Sequence, residues 1–395
     1  MKTKIKNKQE RGITLVALVV TIVVLLILAG ISLNLVLGQN GIISRAQDAR
    51  NQTTEGQVNT EKAVNALTDE MEDLISENEN SNYDPTADGV VIPEGYYYVG
   101  GTKAKGIVIS DNVADKELDK GKEDVRRDLA GNQWVWVPVE TPSSLYTTVD
   151  AGQALVGSTG VKTTKYTNSA IIRGRTRVKP GNTGGYKEPD ILTASGIDDT
   201  NYATAGFSSL ANMAETMVSE YEEMIESLEK YKGFYIGRYE LTANGEKTGA
   251  TQTCENGVNW YTLYKNCTTL ASGSKVKTRM IWGLQWDATC KWLDSSGFDI
   301  TNSSTWGNYD NNTATGHGSK QNTGFSESWK ANNIYDFAGN FGEFTQEACN
   351  TYGRAHRGGS SGSVGSSYPA LYRSFWTLSD ARCGYGSRPT LYLIP

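Results

Sequence analysis

Apolar and polar positions divide the chain into regimes of different period. From Ile13 to Leu37 runs an uncharged stretch, I-T-L-V-A-L-V-V-T-I-V-V-L-L-I-L-A-G-I-S-L-N-L-V-L. At about 1.5 Å per residue, a helix of this length predicts a membrane crossing or filament core over 13–40. Gly38-Gln39-Asn40-Gly41 breaks it. Val64, Leu67, Met71 and Leu74 then form a narrow apolar seam among acids, which predicts a helical stalk within 41–87. Glu77–Ala87 is polar and reads as a linker.

From Gly89 the period shortens. Gly95–Val99, Gly106–Ser110 and Trp134–Val139 predict strands between Gly, Asp and Asn, and Thr390–Ile394 predicts a final strand. Lys116–Arg127 reads as a solvated charge run, and Pro142–Thr200 as a long, Thr- and Gly-rich insertion. Leu210, Met213, Met217, Tyr221, Met224, Leu228 and Tyr231 fall on one helical face with glutamates opposite. That spacing predicts core, not a methionine-lined groove. The class is therefore α+β: a long N-terminal helix, then a domain over 88–395 rich in short strands and loops.

Between Arg357-Gly358-Gly359-Ser360 and Gly386-Ser387-Arg388-Pro389 no period survives. The tract holds Ser, Gly, Tyr, Phe, Trp and Arg, a composition poor for a core and good for a contact surface. Its first half offers Ser361, Ser363, Val364, Ser367, Tyr368, Leu371 and Tyr372 as candidate ligand-binding residues. Its second half offers Phe375, Trp376, Asp380, Arg382, Cys383 and Tyr385. Arg357 and Arg388 are expected to fix the ends by donating to loop carbonyls.

Composition narrows the function. A chain of 395 residues holds two or three regions. Lys2, Lys4, Lys6, Lys8 and Arg11 precede the apolar run, which predicts a cytoplasmic N-terminus and export of the rest. A net charge of −6 and a pI near 5.3 argue against a nucleic-acid partner. Five cysteines (Cys254, Cys267, Cys290, Cys349, Cys383) without C-x-x-C, and only His317 and His356, argue against zinc and exclude a three-histidine metal centre. Cys254 and Cys267 bracket W-Y-T-L-Y and could staple a hairpin in an oxidising exterior, although sequence leaves the connectivity open. From Tyr352 to Ser387 there is no Lys, Glu, Gln, Met or Asn.

Arg11–Leu18, R-G-I-T-L-V-A-L, resembles the class III signal of type IV pilins and pseudopilins. The resemblance implies a leader over 1–12, cleavage after Gly12, methylation of Ile13, and packing with other pilin subunits or in the cytoplasmic membrane. Ala17 departs from the glutamate most pilins carry there. A plain signal-anchor helix is the alternative.

Asn333–Thr345 (N-I-Y-D-F-A-G-N-F-G-E-F-T), Arg357–Ser360 and Gly386–Leu391 resemble the closing blocks of formylglycine-generating-enzyme-like domains. Gly233–Glu240 and Ile281–Leu293 resemble that family's opening strand and helix. The resemblance implies a C-type-lectin-like fold. Asp336, Gly339, Phe341 and Glu343 fall where that family binds structural calcium, but a structural turn without metal is the preferred reading, and no cofactor is expected. Two departures bear on that site: Asp336 stands for the usual asparagine and Gly342 for a tryptophan. The family's enzymes use a cysteine pair where Ser363 and Tyr368 stand here, so catalysis is not expected.

The composition of 352–387 resembles that of targets of diversity-generating retroelements, in which template adenines are replaced at random. Asparagine codons AAC then become NNC, which cannot encode Lys, Glu, Gln, Met or Trp, and Trp376 is the departure. The resemblance implies a surface-displayed adhesin or receptor. Its variable region would be 352–387, and its ligand a protein or glycan on another cell, phage or host surface. A structural minor pilin, whose tract rings would be buried, and a formylglycine-generating-type enzyme are the alternatives.

Overall fold

The computed structural model describes residues 15–37, 83–148, 166–168, 186–187, 201–242, 257–270, 275–349 and 353–395. The chain divides into two compact units, Met1–Ile75 and Ser76–Pro395. In the first, α1 (Leu15–Leu37) is a helix of 23 residues. Its described side chains, those of residues 18–29, are exposed. Among the described residues no helix is long and apolar enough to cross a membrane. Gly12, Ile13 and the stalk seam lie outside the described residues.

The second unit mixes helices with many short strands. In chain order these begin with β1 (Tyr97–Gly100), β2 (Val108–Ser110), β3 (Gln133–Pro138), β4 (Tyr146–Thr148), β5 (Tyr166–Asn168) and β6 (Tyr186–Lys187). Next come α2 (Leu210–Tyr231), β7 (Gly233–Gly237), α3 (Trp260–Cys267), β8 (Val276–Met280) and α4 (Gly283–Ser295). The remainder is strand: β9 (Lys330–Ala331), β10 (Ile334–Tyr335), β11 (Gly342–Cys349), β12 (Gly353–Arg357), β13 (Arg373–Trp376), β14 (Tyr385–Ser387) and β15 (Pro389–Leu393).

Six strands form one antiparallel sheet in the order β1-β2-β3-β7-β15-β8. The last strand of the chain is thus interior: Thr390 faces Ile236 on one side and Arg279 on the other. Pro389 opens that strand, where a missing N–H is tolerated. A second sheet runs β13-β12-β11-β14, with β6 added to the end of β11. Because β14 lies parallel to β11, Gly342 faces Tyr385 and Phe344 faces Ser387. The tract therefore leaves through β12, returns through β13, and is tied back by β14 before β15 enters the first sheet.

The apolar period of α2 is core. Met213, Met217, Tyr221, Met224 and Leu228 are buried, and the helix packs on β7 and β15. Ser209 starts it by accepting from the Asn212 amide at 3.0 Å. In α4 the Gln285 side chain accepts from the Trp282 amide at 3.1 Å, and Trp282, Trp286 and Leu293 are buried.

Two expectations change. W-Y-T-L-Y belongs to α3, not to a hairpin: Asn259 caps the helix through the Thr262 amide at 3.0 Å, and Trp260 stacks on Tyr264 at 5.2 Å. Cys267 is buried at the end of that helix, 3.8 Å from the Ser387 hydroxyl, and Cys254 lies outside the described residues. The charges of the run Lys116–Arg127 are mostly exposed, as expected, except at Asp119, which ties it down. Asp119 is buried and receives the Arg126 amide at 2.8 Å and its Nε at 3.0 Å. The linker ends earlier than expected, since the Tyr83 hydroxyl accepts from the Lys103 amide and its ring packs on Tyr98. Of the insertion, β4 pairs with β5, and β6 extends the second sheet.

Candidate ligand-binding face

Two groups of buried ions fix the frame around the tract. Asp287 on α4 accepts from Arg357 on β12 through one oxygen at 2.7 Å and from Arg373 on β13 through the other at 2.9 Å. Glu347 on β11 lies 2.9 Å from Arg373 Nε and 3.8 Å from Arg357 Nη1. All four are buried, so two cations and two anions close a neutral cluster beneath the sheet. Such a cluster tolerates its own desolvation only while every member is present. Arg357 also donates to the Tyr372 carbonyl at 3.0 Å, one of the carbonyl contacts its guanidinium is suited to make.

The second group lies between the two sheets. Arg388 donates to Glu343 through Nε and Nη2, to the Gly237 carbonyl at 3.0 Å and to the Tyr335 carbonyl at 2.8 Å. Of the candidate calcium ligands, Glu343 is ion-paired and Asp336 is bonded through one carboxylate oxygen, while Gly339 and Phe341 are held through their amides and not their carbonyls. Glu343 is held by Arg388, and the Phe341 amide donates to Glu240 at 3.2 Å. Asp336 accepts from the Gly324 amide at 2.6 Å and the Thr323 hydroxyl at 3.2 Å, and Gly339 bonds Gly358 through the backbone. The turn that carries these residues is salt-bridged through Glu343 and Arg388. Among the described residues no group of three His, Cys, Asp or Glu is placed to hold a metal ion.

Gly358 and Gly359 take left-handed angles, φ 81° and 73°. The Tyr309 hydroxyl sits between the carbonyls of Gly358 and Tyr368, at 2.5 and 2.8 Å, and its burial pushes its pKa well above 10. A β-carbon on Gly365 would lie 2.6 Å from the Ser304 amide nitrogen, so that position is closed to side chains as well.

The tract itself is split between core and surface. Ala370 accepts from Trp286 Nε1 at 2.9 Å, the Leu371 amide donates to Ile300, and Leu371 and Leu378 are in the core. Leu371 at 1% exposure, Tyr372 at 5% and Ser361 at 4% are thus packed inside, against the expectation that they contact ligand. The cause lies outside the tract: Trp286, Ile300 and Ser303 hold 370–371 down. Phe375 and Trp376 are half-buried neighbours on β13. Facing Ala355 and Arg354 respectively, they point to opposite faces of the sheet and do not form one anchor.

What remains outside is coherent. Val364, Tyr368, Asp380, Arg382 and Cys383 are exposed, while Ser363, Ser367, Trp376 and Tyr385 are half-buried. A row of ring contacts links the aromatic residues among these through the buried Tyr372 and His356. Tyr368 meets Tyr372 edge-on at 4.7 Å, Tyr372 meets His356 at 6.2 Å, and His356 meets Tyr385 at 4.6 Å. Tyr385 stacks parallel to Trp376 at 6.5 Å, and the Arg382 guanidinium lies 3.7 Å from the Trp376 ring. Asp380 completes the end by accepting from Trp376 Nε1 at 3.0 Å, with Arg382 3.9 Å away. Burial raises the Tyr372 and Tyr385 hydroxyl pKa values, so both stay protonated donors at neutral pH.

Two contributors escaped the sequence reading. His356 bridges the two halves of the row from β12, opposite Phe344 and Ser374. Gly318, Ser319 and Lys320, from a polar loop far from the tract, line a depression of about 500 Å³ with Ser361, Cys383 and Tyr385.

No protein-family model matches the chain, and no curated protein does. Among solved structures, it is similar to Treponema denticola variable protein 1, over 67% of this chain and 97% of that one. The sequence identity is 14% and the TM-score 0.28.

Proposed function

We propose that this chain is a surface-displayed binding protein whose exposed tract residues form a diversified recognition face. Recognition, not catalysis, is its mechanism. The observation that carries the reading is the ring row from Tyr368 to Arg382, set on a backbone whose flanks end in buried ion pairs. Aromatic rings and Arg give large contact area with few torsions to freeze, and Ser and Gly adapt around them. A face of this kind tolerates exchange of its outward side chains because its fold is fixed elsewhere. The absence of Lys, Glu, Gln and Met from 352–387 supports replacement of template adenines as the source of that exchange.

In this proposal the apolar stretch from Ile13 to Leu37 anchors the chain in the cytoplasmic membrane or in a pilus, after removal of residues 1–12. The C-terminal domain is presented outside the cell to a protein ligand.

Sequencing this gene in many cells of one population tests the reading. Differences should fall at adenine-derived positions in the codons of exposed residues such as Val364, Tyr368 and Arg382, and spare those of Arg357, Leu371 and Arg388. A near-copy of codons 352–387, differing at adenines, should lie beside a reverse transcriptase. Differences spread evenly over the gene, or none at all, would contradict diversification and favour a fixed ligand.

A further inference from the structure

We propose that Lys320 is a fixed electrostatic anchor at the edge of the face, receiving a carboxylate from a protein ligand. The inference rests on the ligand-binding reading above and adds the chemistry of the ligand. Among the residues lining the depression, Lys320 alone is charged. Its ammonium lies 5.7 Å from the centre of the Phe341 ring, and its side chain passes close to Gly384. Those contacts hold the cation beside the tract. Among the described residues no carboxylate pairs with it.

Among the described residues, four arginines in or beside the tract are committed. Arg357, Arg373 and Arg388 are buried in ion pairs, and Arg382 is drawn to Asp380 and the Trp376 ring. Lys320 also lies outside 352–387, so it persists while the tract changes. A constant charge next to variable rings gives each variant a shared attraction to acidic surfaces, which raises encounter rates, and leaves discrimination to the rings. The hydroxyls of Ser319 and Tyr385 can donate to the second oxygen of a bound carboxylate. A protein ligand fits better than a sugar acid because the adjoining surface has the Tyr, Ser, Gly, Trp and Arg composition of protein-binding paratopes.

The test pans a random peptide library against the full chain in detergent and against Lys320→Glu. Lys320 is exposed, so the variant should melt with the wild type. Peptides enriched on the wild type should carry excess Asp and Glu and weaken about fivefold on Lys320→Met. Added salt should reduce their binding. Lys320→Glu should invert the preference toward Lys and Arg. Enrichment without charge preference, still sensitive to Trp376→Ala, would remove the anchor and leave the binding face standing. Binding of uronic-acid oligosaccharides with no enriched peptide would overturn the protein ligand. Binding of neither would overturn the anchor and the face together.

Discussion

Arg388 and Glu343 form a side-on ion pair with the carboxylate 3.0 Å from Nε and 2.7 Å from Nη2, both side chains at most 1% exposed. Glu343 lies on β11 of the second sheet, while Arg388 links β14 to β15 and reaches carbonyls of β7 and β10. The pair thus joins the sheet that carries the tract to the sheet that carries the core. Arg388→Met leaves a buried carboxylate without its cation and should cost about 3–5 kcal/mol. The double variant Arg388→Met/Glu343→Gln should cost clearly less than the sum of the singles, because neither leaves a charge behind. Denaturant unfolding of the cycle checks it, and additive losses would mean the pair does not hold the sheets.

Asp336 gives the domain a pH dependence of known sign. Burial pushes its carboxyl from 3.8 up to about 6, against the Gly324 amide bond and the attraction of Arg388, which pull it down. An acid with a higher pKa folded than unfolded binds more protons when folded. Its contribution is fully present below the unfolded value and is lost as pH rises through about 6. Asp336→Asn keeps an acceptor for Gly324 and suits the left-handed backbone, φ 55°. The variant should be more stable than wild type at neutral pH by on the order of 1–3 kcal/mol, and flatter between pH 4 and 7. Unfolding curves at both ends of that window decide it; an unchanged slope would mean Asp336 is not the titrating group.

Within the tract, neighbours should respond differently. Leu371→Ala should cost roughly 2–5 kcal/mol, since the residue is in the core. Tyr368→Ala and Arg382→Ala should each move stability by under about 0.5 kcal/mol while weakening ligand binding. Thermal unfolding beside a binding assay separates the two effects. Equal penalties at Leu371 and Tyr368 would make the whole tract structural.

Processing is checked by mass spectrometry of the mature chain. Cleavage after Gly12 should leave N-methyl-isoleucine from Ile13, and Gly12→Ala should leave the precursor uncut. Intact Met1 on the exported protein would exclude the pilin-type leader.

Much of the fold was legible because it follows from period and punctuation. The apolar face of α2, the continuous apolar run Trp134–Val139 and the final strand needed only local pattern. The α3 helix was misread because its aromatic run suits a strand, and one cap at Asn259 with stacking of Trp260 on Tyr264 decided otherwise. In the tract, composition marked a surface but could not separate Leu371 from Tyr368. Their difference is set by Trp286, Ile300 and Ser303, distant in sequence and close in space. Lys320 was invisible for the same reason.

The division of the tract into fixed and free positions is tested most directly by two libraries screened for protease resistance in the full chain. One randomises Val364, Ser367, Tyr368, Trp376, Arg382 and Cys383; the other randomises Gly365, Ala370, Leu371, Arg373 and Leu378. Most members of the first should remain resistant, because those side chains face solvent or its edge. Most members of the second should be cut, because they break core contacts, the Asp287 ion pair or the close approach at Gly365. Equal survival of the two libraries would contradict the account of a variable face on an invariant frame.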